Sequence, residues 1–329
     1  SLAMRMESKF IVYLCISWIL CLFLALAFYY GGEEGERKIV VIESGLSTLE
    51  ISHALQKEDV VPAFLFRLFL FLSHQDKLMA GNYFFYPGES VEEVARQLSQ
   101  GPPYEKITFP EGFASEQMAE VLEEKGICLA KDYLDLINKP ELFPASYLQG
   151  VTSLEGFLFP DTYYFCPLTS PQTVIETQLR RFEEVFLPHY RSSFTFLSLK
   201  EVVILASIVE KEARWKEEKP LVASVFINRL KQGMKLQSCA TVVYALYREK
   251  GLKVKNLQEE DLTVVSPFNT YLVSGLPPQA ICNPGLDSLL SVLYPQRSDY
   301  LYFVLQDDGK HAFSRTYEEH LSYKEAGGP

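Results

Sequence analysis

The chain has 329 residues, with 42 Asp and Glu against 31 Lys and Arg, for a formal net charge of −11. That acidity excludes a nucleic-acid reader, which needs a basic face to displace counterions from phosphates. Hydrophobic residues at 48% and charged residues at 22% exclude wholesale disorder, and the length suits one large or two medium domains.

In chain order the first element is apolar. Phe10 to Tyr30 reads FIVYLCISWILCLFLALAFYY, 21 residues without charge, Pro or Gly. At ~1.5 Å per residue this is ~31 Å of helix, enough to cross a bilayer core. A signal peptide has a shorter apolar region ending in a small-x-small site, whereas this run ends in Phe28, Tyr29 and Tyr30. Arg5 and Lys9 precede it and Glu33, Glu34 and Glu36 follow it, so the positive-inside rule puts residues 1–9 in the cytoplasm. Residues 10–30 are the expected anchor and 31–37 a linker. The remainder faces outward, carrying 29 basic and 41 acidic residues.

A diverged repeat opens the exported part. Val40–Gly45 leads to Leu55, Tyr83–Gly88 to Leu98, and Ile107–Gly112 to Leu122. Six residues after each Gly stands Ile51, Val94 or Met118, so each copy predicts a short strand, a glycine turn and a helix. Ser47 and Ser90 are the expected N-caps. Such a unit is a generic packing solution, and the repeat is read as structure. Between the first two copies, residues 61–73 predict an apolar helix with Arg67 its one charge, too short to span and expected to pack as core. Gly101-Pro102-Pro103 marks a linker, with a boundary near residue 104. Helices are predicted around 115–125, 130–138, 171–186, 199–213 and 220–232, then mixed strands and helices over 263–320.

The helix from Leu199 opens with a capping box, Ser198 with Glu201. VVILASIV at 202–209 is apolar on nearly every side and therefore buried. Glu210 and Glu212 follow at its end. A carboxyl group leaving a buried helix is partly desolvated, which favours its neutral form and suits a general acid. Solvated charges at the surface of the helix explain the same pattern. Helical geometry puts the two residues about 200° apart, so they do not form a cooperating pair, and periodicity does not choose between them. Asn, Ser, Thr and Tyr then gather around residues 237–238, 266–271 and 283–285, a composition that suits sugar hydroxyls and ordinary turns alike. The five histidines show no metal-ligand spacing. Cys128, Cys166, Cys239 and Cys282 are widely spaced and form no CxxC pair.

Several ordered blocks carry a resemblance: SLEGFLFPDTY at 153–163, LASIVEKEA at 205–213, VASVFINRLKQGMKLQS at 222–238, SPFNTYLVSGLPPQAICNPGLDSL at 266–289, YLYFV at 300–304 and GKHAFSRTYEEH at 309–320. From about Val40 to His320 the chain resembles the membrane-anchored endolytic murein transglycosylases, the MltG or YceG-like family. The resemblance implies an α+β fold with a single N-terminal transmembrane helix, a small LysM-like strand–helix subdomain at 38–104, and a larger mixed α+β catalytic domain at 105–329. It implies cleavage of the β-1,4 bond between MurNAc and GlcNAc in nascent glycan strands, leaving 1,6-anhydro-MurNAc ends and terminating elongation. The implied setting is the cell inner membrane with a periplasmic catalytic domain, contact with peptidoglycan synthases, and no cofactor or metal.

Glu210 matches the catalytic glutamate of the motif. It would protonate the leaving oxygen and then take the proton of the C6 hydroxyl, with no second carboxylate. Glu155, Asn228, Gln237, Ser266, Asn269 and Tyr271 match the substrate cleft. The chain departs from the pattern after Ser238, where the family's Asp-Pro-Thr is replaced by Cys239-Ala240-Thr241. A loop carboxylate is thereby lost, and a Cys239–Cys282 disulfide is left open. The same residues also fit a catalytically silent peptidoglycan-binding scaffold, or a hydrolase on the same fold.

Overall fold

The computed structural model describes residues 13, 16–25, 28, 38–86, 88–254 and 256–327. The expected cytoplasmic tip at 1–9 and the linker at 31–37 lie outside the described residues, as does part of the 10–30 run. Residues 16–25 are helical. Among the described residues no helix is long and apolar enough to cross a membrane. The architecture is mixed α+β with three two-stranded sheets, and the chain divides into two units, 1–105 with 164–169, and 106–163 with 170–329. The excursion at 164–169, inside the range expected for the larger domain, thus belongs to the first unit.

In the first unit β1 (Lys38–Ile42) pairs antiparallel with β2 (Gly81–Phe85), Lys38 opposite Phe85 and Ile42 opposite Gly81. Period-2 alternation turns Val40, Ile42, Tyr83 and Phe85 into the core. Helices α1 (Thr48–Lys57), α2 (Ala63–Ser73) and α3 (Val91–Gln100) cover that core through Ile51, Leu55, Phe66, Val94 and Leu98. Ser47 Oγ accepts from Glu50 N–H and Ser90 Oγ from Glu93 N–H, as expected of N-caps. The α2 helix is core on one face only: Phe66, Phe69 and Leu70 are buried, while Phe64, Phe71 and Leu72 are exposed. The expectation that it packs wholly as core is corrected to that extent. Apart from Arg67 and Ser73 this helix is apolar all round, whereas a helix lying on a small core is covered along one face.

The second unit takes up the chain within β3 (Glu105–Thr108), from Lys106, and the Thr108 hydroxyl bonds that of Thr162, the first residue of β4 (Thr162–Phe165). Next come α4 (Ser115–Glu124) and α5 (Ala130–Ile137), then α6 (Pro171–Val185) and the short α7 (Leu187–Arg191). At the centre lies α8 (Leu199–Glu212), buried from Val202 to Val209 and contacted by α9 (Lys219–Lys231), α10 (Cys239–Lys250) and α11 (Leu286–Leu293). The antiparallel pair β5 (Tyr302–Leu305) and β6 (His311–Ser314) packs under α12 (Tyr317–Gly327).

Cys239-Ala240-Thr241, read from the sequence as loop, is the first turn of α10. Polar Ser238, Cys239 and Thr241 mask the helix start, and α10 is held by tertiary bonds rather than by a side-chain cap. Cys128, Cys166, Cys239 and Cys282 are free, so the Cys239–Cys282 disulfide is not formed. Cys282 is buried and donates to the Ser207 carbonyl, while Cys239 faces the Tyr271 hydroxyl at 3.4 Å.

Candidate active site

The site forms where the buried helix α8 ends. Glu210 is its last full turn's inward carboxylate, with a side chain 9% exposed. Lys219, at the start of α9, reaches it with Nζ 3.1 Å from Oε1 and 3.2 Å from Oε2. From the start of α11 the Gly285 N–H donates to Oε2 at 3.0 Å and the Ser288 hydroxyl at 2.6 Å. Each of these partners is a donor, so the group is presented as an acceptor-only carboxylate. Breaking such a buried pair by deleting Lys219 leaves a charge without compensation.

Glu210 and Glu212 touch different parts of the fold. Glu212 accepts from the Ser238 hydroxyl in a very short bond and from Ala240 N–H at 3.2 Å. It therefore clamps the first turn of α10 onto the end of α8. Glu210 faces the two helix starts at 219 and 285–288.

Over Glu210 lies the turn Pro110-Glu111-Gly112. Gly112 has φ +78°, and a Cβ there would contact Glu210 Cγ at 3.4 Å. Its carbonyl accepts from Lys211 Nζ at 3.1 Å. Backbone bonds join the turn to the 283–285 segment, Gly112 N–H to the Asn283 carbonyl at 2.9 Å and Asn283 N–H to the Phe113 carbonyl at 2.8 Å. The Glu111 carboxyl rests on Gly285, where an added methyl group would overlap it. Partial burial and the nearby Glu210 charge push the Glu111 carboxyl above its ordinary pKa, with Lys219 opposing. Glu111, Lys219, Gly285 and Ser288 were not singled out from the sequence as site residues. Their signal was present: Pro-Glu-Gly is the turn of the third copy of the repeat, and 285 and 288 lie within the 266–289 block.

Glu155 is 2% exposed and does not line an open cleft, contrary to the resemblance. It accepts from Asn283 Nδ2 at 2.7 Å, the Ser115 hydroxyl at 2.5 Å and Ser115 N–H at 3.1 Å. Burial, with Glu116 adding to it, pushes its pKa up to about 7 against those bonds. Asn283 Oδ1 in turn accepts from Gly156 N–H at 2.7 Å and Leu158 N–H at 3.1 Å. This interior network pins residues 113–115, 155–158 and 283 together behind Glu210.

Asn228, Ser266 and Asn269 are likewise struts. Asn228 Nδ2 donates to the Ser298 and Tyr300 carbonyls at 2.9 and 3.0 Å. Ser266 Oγ donates to Glu249 at 3.0 Å, and Asn269 Nδ2 donates to the Leu262 and Val264 carbonyls at 2.9 and 2.8 Å. Each satisfies a backbone or carboxylate acceptor from inside the fold, a role that composition cannot separate from ligand binding. Gln237 is exposed, in the left-handed region at φ 51°, and its Oε1 accepts from Arg229 at 3.1 Å. Tyr271 is partly exposed and meets Cys239. These two, on the α10 side, remain open to a ligand. A cavity of ≈ 240 Å³ lies alongside, walled by Gly112, Lys211, Ala240, Tyr244 and Tyr247.

Comparison with known proteins gives one consistent picture. The YceG-like family matches residues 40–326. An endolytic murein transglycosylase of Bacillus subtilis is 32% identical over 326 residues, covering 91% of this chain and 89% of that protein. An endolytic murein transglycosylase of Streptococcus pneumoniae is 28% identical over 312 residues, covering 85% of this chain and 56% of that longer protein. The crystal structure of a yceG-like protein from Listeria monocytogenes superposes with a TM-score of 0.59 at 32% identity, covering 87% of this chain and 98% of that one.

Proposed function

The chain belongs to the YceG-like family, and from that premise we propose that it is an endolytic peptidoglycan lytic transglycosylase with Glu210 as its central catalytic carboxyl group. The observation that carries this is the setting of Glu210 at the buried end of α8, held by Lys219, Gly285 N–H and Ser288. The reaction breaks the MurNAc C1–O4 bond and closes C6–O onto C1. It needs one proton delivered to the leaving oxygen and one taken from the C6 hydroxyl. The family resemblance gives both transfers to Glu210. Its donors suit the second directly, since a carboxylate that accepts from three groups is fixed in place to accept a proton as well.

The proposal includes the setting. Residues 10–30 anchor the chain in the membrane, residues 1–9 stay inside, and the 105–329 region works outside on nascent strands beside the peptidoglycan synthases. Residues 38–104 form a LysM-like module that holds glycan, and Gln237 and Tyr271 line the catalytic cleft. The test incubates full-length protein in detergent with uncrosslinked glycan strands and weighs the new ends. Anhydro ends that fall by ~100-fold or more in Glu210→Gln are expected. Unchanged cleavage in that variant removes Glu210 from the reaction. Hydrated reducing ends convert the assignment to a hydrolase, and no cleavage at all leaves a binding scaffold.

A further inference from the structure

We propose that Glu111 is the proton donor to the leaving glycosidic oxygen, so that two carboxyl groups divide the work that the family resemblance gives to Glu210. This deepens the transglycosylase assignment and rests on it.

Glu111 and Glu210 meet at one residue: Gly285 donates its N–H to Glu210, and the absence of its side chain makes room for the Glu111 carboxyl. Gly112, next along the turn, packs against Glu210 Cγ. In a β-linked D-pyranose the leaving oxygen and C6 stand on the same face of the ring. A donor for one and an acceptor for the other must therefore sit side by side, unlike the acid and nucleophile of a paired-carboxylate hydrolase, which flank the sugar from opposite faces. Two carboxyl groups sharing one glycine meet that requirement.

The two groups differ in their partners. Glu210 accepts from Lys219, Gly285 and Ser288 and is 9% exposed. Glu111 makes no hydrogen bond or ion pair among the described residues and stands on the open side. A glycan arriving from solvent meets Glu111 first. The charged groups facing it are Glu210 of α8, Lys219 of α9, Asp287 of α11 and Lys216, and the last two pair with each other at 2.7 Å. A proton held at Glu111 relieves its repulsion with Glu210, and the rise in its pKa is in the sense that general acid work requires.

The step balances. Glu111 Oε–H gives its proton to O4 as the C1–O4 bond breaks, and the GlcNAc departs with a free hydroxyl. The C6 oxygen bonds to C1 while its proton passes to Glu210, and solvent exchange returns one proton from Glu210 to Glu111. No water is consumed.

The test uses the full chain in detergent on two substrates, uncrosslinked strands and a 4-methylumbelliferyl β-glycoside of a MurNAc-containing oligosaccharide, whose aryl oxide leaves without being protonated. Glu111→Gln is expected to cut strand turnover by ~100-fold or more and aryl glycoside turnover by less than about threefold. Glu210→Gln is expected to lose both. Gly285→Ala keeps the N–H to Glu210 but displaces the Glu111 carboxyl, and should copy Glu111→Gln. On strands, Glu111→Gln should also lose the fall in kcat/KM at high pH that titration of a general acid produces. Wild-type strand turnover in Glu111→Gln, or equal loss on both substrates, overturns the donor role. Absence of anhydro ends with the wild-type protein instead overturns the transglycosylase assignment, and the division of labour with it.

Discussion

Three side chains decide how the site behaves. Lys219 is 5% exposed and pairs with a carboxylate almost as buried. Lys219→Met should therefore cost about 3 kcal/mol or more by leaving Glu210 uncompensated, read as a lowered urea midpoint together with lost cleavage. Ser288→Ala removes one charge-assisted bond and no charge. Turnover should fall by about tenfold with the midpoint nearly unchanged. Glu155 carries a pH signature. Its folded pKa of about 7 lies above its ordinary value of 4.5, so below the lower value both states are protonated and its contribution is fully present. Stability then declines as pH rises from about 4.5 to about 7, by something on the order of 3 kcal/mol. Denaturation midpoints of Glu155→Gln should lose that slope, and an equal slope in both proteins would show that another group titrates. None of this depth was visible in the chain. Glu155, Asn228 and Asn269 have the composition of a sugar site, and only the burial of Glu155 and Asn269 and the two carbonyls bonded by Asn228 reveal them as struts.

At the scale of elements, much was legible. The capping box opening α8 is formed as written: Ser198 Oγ accepts from Glu201 N–H at 3.4 Å, and Glu201 Oε2 accepts from Ser198 N–H at 2.8 Å. Ser198→Ala should cost about 1 kcal/mol in a thermal or urea melt, with KM unaffected. Gly156 shows what local patterns could not reveal. It has φ +94°, and a Cβ would lie 2.5 Å from Val203 Cγ1 and 2.6 Å from Ala280 Cβ. Gly156→Ala should therefore destabilise by ~2 kcal/mol or more. It should also weaken catalysis, because Gly156 N–H is bonded to the Asn283 amide behind the site. The start of α10 was missed for a related reason. It is secured by Glu212 and by Thr270, 30 or so residues away along the chain in the latter case.

For the whole molecule, the net charge of −11 sets an expectation about substrate. An acidic protein is not drawn to an acidic polymer by its field, so strand recognition should rest on hydrogen bonds and stacking. KM for glycan strands should shift by less than about twofold between ~0.05 and ~0.5 M salt, and a steep rise would point to ion pairing instead. The free cysteines carry a companion expectation. Reductant should leave the melting temperature unchanged, because no crosslink between Cys239 and Cys282 restrains the unfolded chain.

Sequence by itself determined what depends on neighbours along the chain. Strand alternation, helix period and capping residues placed β1, β2, α1, α3, α4 and α8, because backbone bonds in a helix and side-chain alternation in a strand are short-range matters. Ordered motif blocks identified the family. Tertiary structure decided what depends on contacts across long separations. It gave Glu210 and Glu212 different partners, moved Glu155 and Asn269 into the interior, and brought Glu111 onto Gly285, more than a hundred residues further along. A carboxyl group's chemistry follows from the donors and charges within a few ångströms of it, and those come from parts of the chain that no local pattern relates.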